Sequence, residues 1–269
     1  MFYFTDVHGC YSLYRAAMDF CMKQDKHCTI IYGGDACDRG RDGYKIMKEL
    51  LDNPQVIYLK GNHEDMFVLA ARFIKDNFRE KLTPENIEDF LNLCYTSNGD
   101  YGCNVWQSLR NGGIDTLFDW MSAGMPTDIV DKIDRLPITY SYKNLDFCHA
   151  GGRYKTYIHA SPRGNISTGD LAEMLWTRVY LTAAWEPGRV CVFGHTPTCY
   201  LPQEYGGSKR LSEMRPCAYT IGSWKKIAMD TGAFASKRLY VLDCSTLKVT
   251  RMEDGILNNR VEQNEIIQL

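Results

Sequence analysis

Short apolar runs alternate with amphipathic stretches over residues 1–75. The runs are rich in β-branched and aromatic residues, which predicts buried strands. They are Phe2–Phe4, Thr29–Tyr32 and Val56–Leu59. Apolar residues at helical spacing between Leu13 and Cys21, and between Tyr44 and Leu51, predict two helices, the second ending near Asn53. This order of strand, turn and helix is typical of a parallel sheet.

Helical spacing dominates residues 66–137. Apolar residues from Met66 to Ile74 fit one helix, and Thr83-Pro84-Glu85 fits the capped start of another. A Gly- and Asn-rich loop follows at residues 96–113. No linker composition bounds this region, so we expect one domain over residues 1–269, with a helical insertion at about 66–137 that walls the site.

Strand patterns return in the second half of the chain. Residues 138–148 predict a hairpin, and Val190–Phe193 predicts a further strand. Asp170 and Glu173 have the spacing of a capping box at the start of a helix. Residues 200–222 read as an irregular excursion, and we expect antiparallel strands to close the sheet at residues 226–229, 239–243 and 247–250.

Composition narrows the class of protein. The chain has 269 residues, 45% hydrophobic and 24% charged, with a net charge of −2. This is typical of a globular protein, and the lack of a basic block argues against a nucleic acid polymer as partner. No apolar run approaches the roughly 20 residues of a membrane span. The N-terminus lacks a signal peptide pattern, and 11 irregularly spaced cysteines indicate reduced thiols. We therefore expect a cytoplasmic protein that does not associate with a membrane.

Five strand-like runs are each followed by Asp, Asn or His beside a glycine. Because ligands gather at the carboxyl ends of strands in such sheets, we expect these side chains to converge. Carboxylate, imidazole and amide groups together suit Mn²⁺, Fe or Zn²⁺ better than Ca²⁺ or a thiolate-bound zinc. The six candidates are Asp6, His8, Asp35, Asn62, His149 and His195.

The motifs resemble the signature of the metallophosphoesterase superfamily, in particular its phosphoprotein phosphatase branch. They are Asp6-Val7-His8-Gly9, Gly34-Asp35-Ala36-Cys37-Asp38-Arg39-Gly40, Gly61-Asn62-His63-Glu64, His149-Ala150-Gly151 and Gly194-His195. Within that branch the chain is similar to bacterial and bacteriophage serine/threonine phosphatases and to symmetrical diadenosine tetraphosphate hydrolases. Three further segments carry this likeness: Arg110-Asn111-Gly112-Gly113, Leu175-Trp176-Thr177-Arg178 and Asp230-Thr231-Gly232-Ala233.

The resemblance implies an α/β fold of the calcineurin-like metallophosphoesterase type, with two packed mixed β-sheets flanked by helices in an αββα sandwich. It also implies two divalent metal ions, with Mn²⁺ expected and Fe or Zn²⁺ as alternatives. Asp6 and His8 would hold the first ion, Asp35 would bridge both, and Asn62, His149 and His195 would hold the second.

The remaining implied roles concern catalysis. His63 would protonate the leaving oxygen, oriented by Asp38, while Arg39 and Arg178 would bind the phosphoryl oxygens. General chemistry agrees, because a serine alkoxide is a poor leaving group that needs a proton, and planar guanidinium groups match phosphoryl oxygens. The reaction implied is direct attack on the phosphorus by a hydroxide that bridges the two metals.

The leading hypothesis is a phosphomonoesterase of the serine/threonine protein phosphatase type, whose partner is a phosphorylated protein or a small phosphate ester. The alternative is a symmetrical diadenosine tetraphosphate hydrolase, and an inactive metal-binding scaffold is disfavoured because all ligand positions are present. The sequence leaves open the native metal, the oligomeric state and a redox role for Cys10, Cys37 or Cys148.

Overall fold

The computed structural model describes residues 1–77, 83, 86, 89, 111–160, 166–253 and 265–266. Its first half alternates strands with helices, as the sequence predicts. The elements in order are β1 (Phe2–Phe4), α1 (Tyr11–Gln24), β2 (Ile30–Tyr32), α2 (Gly43–Asp52), β3 (Val56–Tyr58), α3 (Asn62–Asn77), α4 (Ile114–Ser122) and α5 (Thr127–Asp134).

The second half is richer in strands and contains shorter helices. Three 3₁₀ turns lie between β6 and β7, at Thr198–Tyr200, Gln203–Tyr205 and Leu211–Glu213. The elements in order are β4 (Thr139–Tyr142), β5 (Leu145–Cys148), α6 (Tyr154–His159), α7 (Thr168–Trp176), β6 (Val190–Phe193), β7 (Cys217–Ile221), β8 (Trp224–Ala228), α8 (Ala233–Ser236), β9 (Arg238–Asp243), β10 (Lys248–Glu253) and β11 (Glu265–Ile266).

The described strands form two mixed sheets. One has the order β11-β10-β9-β1-β2-β3, in which β1, β2 and β3 are parallel and β9, β10 and β11 are each antiparallel to their neighbours. The other has the order β4-β5-β6-β8-β7, with β5, β6 and β8 parallel. The predicted pair of mixed sheets is confirmed.

Alternation of side chains along the strands builds three apolar layers. Phe2 and Phe4 of β1 face the helices, whereas Tyr3 between them faces the second sheet. In β6, Val190 and Val192 face the first sheet and Phe193 packs on the opposite side. The molecule is therefore layered as helices, sheet, sheet and helices.

The layering explains why the β1 and β6 strands read as continuous apolar runs. A strand buried on both faces has no solvent side that would require polar residues. Polar residues then begin where each strand ends, at Thr5 after β1 and at His195 after β6 and Gly194. These ends lie between the two sheets, where the candidate ligands are brought together.

Four local expectations are wrong. Residues 200–222 contain 3₁₀ turns and β7 rather than only irregular chain. Strand β8 is antiparallel on one side only, since it pairs antiparallel with β7 but parallel with β6. The cap of α7 is Ser167, whose hydroxyl accepts from the Asp170 N–H, while Glu173 binds Arg153 instead. Helix α3 begins at Asn62, four residues before the start that apolar spacing indicates.

Part of the predicted insertion lies within the described residues. Over residues 66–137 these contain the rest of α3 together with α4 and α5. Pro84 and Glu85 of the predicted cap, most of the loop at residues 96–113 and the motif residue Arg110 lie outside the described residues. The extents of the insertion and of a single domain stay predictions.

Two properties of the described chain bear on the remaining expectations. Its cysteines form no disulfides. None of its helices combines the length and the apolarity that crossing a membrane requires.

Candidate active site

The carboxyl ends of β1, β2 and β6 pass directly into tight turns that expose the candidate side chains to one another. Six candidate residues lie in the left-handed region of the backbone, which L-amino acids rarely adopt. They are Asp6 (φ 56°), His8 (φ 47°), Asp35 (φ 58°), Asp38 (φ 68°), Arg39 (φ 67°) and His195 (φ 62°). Such backbone costs of order 1–3 kcal/mol per residue and clusters at functional sites.

Two groups of potential ligands share Asp35. His8, Asp35 and His63 form one group, and Asp35, His149 and His195 form the other; within each group the ligand atoms lie within 4.8 Å of one another. One Asp35 oxygen lies 3.6 Å from His8 Nε2, and the other lies 3.2 Å from His149 Nε2. The geometry fits a carboxylate common to two cation positions.

Each of three histidines uses one ring nitrogen to bind a backbone carbonyl. His8 Nδ1 lies 3.0 Å from the Cys37 oxygen, and His149 Nδ1 lies 2.9 Å from the Gly33 oxygen. His195 Nε2 lies 3.1 Å from the Trp176 oxygen. Because these nitrogens donate to carbonyls, the second nitrogen of each ring is the one that can offer a lone pair to the site in the neutral imidazole, as in metal-binding histidines.

Asn62 lies between the two histidines of the second group. Its Oδ1 is 3.0 Å from His149 Nε2 and 2.8 Å from His195 Nδ1. Lone pairs of nitrogen and oxygen that approach this closely in a buried site repel unless a cation or a proton lies between them. The donor set of imidazole, carboxylate and amide therefore fits a borderline divalent ion.

Asp6 belongs to neither group of ligand atoms. Its carboxylate accepts hydrogen bonds from the His195 N–H, at 3.0 and 3.1 Å, and from the Thr5 hydroxyl, at 2.6 Å. The nearest third donor to His8 and Asp35 is His63, which the sequence interpretation assigned to proton transfer. The roles of Asp6 as a ligand and of His63 as an acid stay predictions.

The predicted pair of His63 and Asp38 is in contact. His63 Nδ1 donates to Asp38 Oδ2 at 2.7 Å, and both residues are buried. The other ring nitrogen, His63 Nε2, lies 3.4 Å from Arg39 Nη2 and 3.8 Å from Asp35 Oδ2. A histidine held in this way can present a proton at Nε2.

The two predicted arginines lie at the exposed edge of the site. Arg39 follows Asp38 directly, and its main-chain N–H donates to the Gly112 carbonyl at 2.8 Å. Arg178 lies two residues beyond the end of α7, and its guanidinium is 3.5 Å from the His195 carbonyl oxygen. Because both arginines are exposed, their guanidinium groups are accessible to an anion from solvent.

Burial and crowding shift several ionisation equilibria. Burial, and then the neighbouring Asp230, raise the pKa of Asp6, and burial raises the pKa of Asp230 to about 6. Burial also disfavours ionisation of Asp35, but the adjacent His149 and His63 outweigh it and lower the Asp35 pKa. Mutual repulsion of carboxylates in a dry site is relieved by a bound cation, which supports the same use of the site.

The histidines are shifted in opposite directions. Burial opposes protonation of His149, but Asp35 outweighs it and raises the His149 pKa to about 10. Burial and then His149 lower the His195 pKa to about 3. For His63, Asp35 and Asp38 outweigh the effect of burial, so its pKa is raised. A raised His63 pKa keeps a proton available for a leaving group near neutral pH.

Sequence analysis left Glu64 without a role, although it lies within a quoted motif. Its carboxylate is fully buried and accepts from the backbone N–H groups of Asp35, Ala36 and Gly61 at 2.7–2.8 Å, and from the Tyr58 hydroxyl at 2.7 Å. Glu64 thus joins the turn after β2 to the turn after β3. No periodicity indicates this role, because three of its four donors are backbone amides.

Asp230 is a second buried carboxylate without an assigned role. It lies two residues after β8 and two residues before Gly232, whose N–H donates to Asp230 Oδ1 at 2.7 Å. This is the same pattern of strand, Asp and nearby glycine that identified the other candidates. The pattern was therefore sufficient to find it.

Comparison with known proteins identifies the family of the chain. The family model described as calcineurin-like phosphoesterase matches residues 2–199. A symmetrical bis(5′-nucleosyl)-tetraphosphatase of Buchnera aphidicola subsp. Acyrthosiphon pisum (strain 5A) is 31% identical over 87 residues, which are 31% of each chain. The enzyme of the same name from Wigglesworthia glossinidia brevipalpis is 32% identical over 80 residues, 29% of each chain. The match spans about a third of the length of these curated relatives.

The fold has a counterpart among solved structures. A crystal structure described as a candidate diadenosine tetraphosphatase superposes with a TM-score of 0.52 at 14% identity, covering 93% of this chain and 91% of the other. At 14% identity this likeness shows a shared fold alone.

The contacts of Glu64 lead to a prediction about assembly of the site. Glu64→Gln places an amide N–H₂ against at least one backbone N–H, whichever oxygen it replaces, so we expect a loss of about 1–3 kcal/mol in the free energy of unfolding, measured by urea denaturation. Glu49→Gln is the matched control, because Glu49 also accepts a tyrosine hydroxyl, from Tyr11 at 2.8 Å, but is only half-buried. Equal effects of the two substitutions would contradict the role given to Glu64.

Proposed function

The chain belongs to the calcineurin-like phosphoesterase family, and from this premise we propose that it is a dinuclear metal-dependent phosphomonoesterase of the serine/threonine protein phosphatase type. The observation that carries the proposal is the pair of ligand groups sharing Asp35, next to the buried contact between His63 and Asp38. The substrate would be a phosphorylated protein or a small phosphate ester.

Two divalent ions, with Mn²⁺ the expected metal, would be held by Asp6, His8, Asp35, Asn62, His149 and His195. When bound, such ions supply Lewis acidity and lower the pKa of water, so that a nucleophile is available at neutral pH. Because both Asp35 oxygens face histidine nitrogens, this residue is the one proposed to serve both ions.

The chain's own residues would carry the rest of the reaction. Arg39 and Arg178 would bind the non-bridging phosphoryl oxygens and stabilise their charge as the transition state forms. His63 would donate its Nε2 proton to the leaving oxygen, while Asp38 holds the opposite ring nitrogen. No side chain is needed as a covalent nucleophile.

A general acid held by a carboxylate favours substrates with poor leaving groups. Serine and threonine alkoxides need protonation as they depart, whereas a nucleotide leaving from a phosphoanhydride is a much weaker base. The proposed pair of His63 and Asp38 thus has more to contribute to a monoester than to a polyphosphate.

The second candidate is hydrolysis of symmetrical dinucleoside tetraphosphates. It is favoured by the curated relatives, which are named for that activity and resemble about a third of this chain. Both candidates use the same metal and phosphoryl contacts, so only substrate preference separates them.

Side-by-side kinetics will distinguish the two candidates. We expect the Mn²⁺-loaded protein to show a higher kcat/KM on a phosphoserine peptide than on diadenosine tetraphosphate. The reverse order would favour the dinucleoside polyphosphate activity, and hydrolysis of neither substrate would exclude both.

Asp35→Ala tests the proposed metal site. Removal of a carboxylate shared by both ions should abolish hydrolysis and most metal binding, as measured by elemental analysis after gel filtration. Asp19→Ala, which removes an exposed carboxylate on α1, is the control and should retain both ions. Two tightly bound ions in Asp35→Ala would rule out the bridging role.

His63→Asn tests proton donation separately from metal binding. We expect the variant to keep its metals and to lose about 10²–10⁴-fold in rate on an alkyl phosphate, which is the usual contribution of a positioned general acid. The loss should be smaller on p-nitrophenyl phosphate, because its leaving group is already a weak base. Loss of metal, or an equal loss on both substrates, would show that His63 is instead a ligand or an electrostatic stabiliser.

A further inference from the structure

Lys226 is a buried cation outside the proposed reaction. It lies in β8 with 1% of its surface exposed, and burial lowers its pKa. Its Nζ donates to the Gly151 carbonyl at 3.1 Å and to the Tyr180 carbonyl at 2.9 Å. Within the described part of the chain no carboxylate lies within 4.0 Å of this ammonium group. The ammonium also lies 5.5 Å from the Trp185 ring centroid. A buried charge without an ionic partner is costly, so the two hydrogen bonds of Lys226 need an explanation.

The two carbonyls belong to segments that carry site residues. Gly151 lies in the turn that follows His149, and Tyr180 lies two residues after Arg178. In sequence they are 29 residues apart. Lys226 thus joins the turn after β5 to the segment that presents the exposed guanidinium.

Other contacts join the same two segments. The Ala150 N–H donates to the Met174 carbonyl at 2.9 Å. Arg153 binds Glu173 through its main-chain N–H at 2.8 Å and through its Nε at 3.0 Å, and its guanidinium lies 4.7 Å from the Tyr180 ring centroid. Helix α7 and the residues after it are therefore held against the turn that follows β5.

The backbone around Arg178 is fixed on both sides. Before it, the Trp176 carbonyl binds the His195 ring at 3.1 Å. After it, Lys226 binds the Tyr180 carbonyl and the Tyr219 hydroxyl binds the Leu181 carbonyl at 2.9 Å. Arg178 itself is exposed and its guanidinium makes a long contact of 3.5 Å, so its position depends on these backbone contacts.

We propose that Lys226 is a positioning residue for Arg178. It fixes residues 176–181, the Arg178 segment, against the turn that follows His149, so that the Arg178 guanidinium is at the distance at which it can bind a phosphoryl group. This inference rests on the proposed function of the site. A side chain without donors at position 226 would remove the Lys226 bond from the Gly151 carbonyl, and would leave the Tyr180 carbonyl only its bond from the Ala183 N–H at 3.0 Å. Loss of this link between the two segments would allow the segment that carries Arg178 to move.

Lys226→Met is the test, because methionine fills a similar volume without a donor. In the Mn²⁺-loaded protein, measured by calorimetry, we expect inorganic phosphate to bind about tenfold more weakly, which corresponds to a typical coupling between contacting groups. The metal content should not change. In an Arg178→Ala background the same substitution should have no further effect on phosphate affinity, because the residue through which Lys226 acts is already absent.

Arg189→Ala is the matched control. Arg189 Nε donates to Oδ2 of the buried Asp146 in β5 at 2.6 Å. Among the described residues Arg189 makes no contact with the Arg178 segment. This substitution should destabilise the fold without weakening phosphate binding. If Lys226→Met does not fold, Arg153→Ala removes the other contact to Tyr180 from an exposed position and should give the same coupling to Arg178.

Three results would overturn the inference. These are a phosphate affinity no weaker than that of the control, an undiminished effect in the Arg178→Ala background, or loss of metal from Lys226→Met. Failure of the proposed function would be seen separately, as an unsubstituted Mn²⁺-loaded protein that does not hydrolyse the phosphoserine peptide, whereas the inference about Lys226 is judged on phosphate affinity alone.

Discussion

The geometry of the site depends on the hydrogen bonds that the Glu64 carboxylate accepts. This carboxylate holds the N–H groups of Asp35 and Ala36 in one turn and of Gly61 in the next. Burial, and then Asp35, raise the pKa of Glu64. Donors that cannot accept nevertheless favour its ionised form, and such charge-assisted bonds are stronger than neutral ones. Because Asp35 and Asn62 lie on the two segments joined in this way, Glu64 fixes the position of Asp35 relative to Asn62.

The turns themselves adopt backbone conformations that stability alone would not select. Left-handed φ values at His8 and His195 are unfavourable for residues other than glycine, and the neighbouring glycines permit close packing around them. A Cβ at Gly194 would overlap the Asp6 carboxylate and the Thr5 side chain. The strands before these turns are buried on both faces, so the core that fixes them offsets the local strain.

The sequence predicted those features that depend on local pattern. Apolar runs located β1, β2, β3 and β6, and a polar residue beside a glycine at a strand end located the candidate ligands. Pairing between distant segments was not accessible in the same way, which is why the parallel pairing of β8 with β6 was not expected, whereas its pairing with the neighbouring β7 is antiparallel. Lys226 read as an ordinary strand residue, because its two acceptors lie 75 and 46 residues away along the chain. Asn62 and His63 start α3, so the direction of the His63 side chain relative to Asn62 is set by helical geometry.

The site is assembled from both sheets, and this links its chemistry to the fold. Asp35 follows a strand of the first sheet, whereas His149 and His195 follow strands of the second. Across the boundary, Asp35 Oδ1 lies 3.2 Å from His149 Nε2, and the Asp6 carboxylate accepts from the His195 N–H. The ligands therefore converge only while the sheets are packed, and the unfolded chain has no such site. Any cation that binds there favours the packed state by mass action. Binding of the cation would therefore both reduce the repulsion among the buried carboxylates and stabilise the docking of the two sheets.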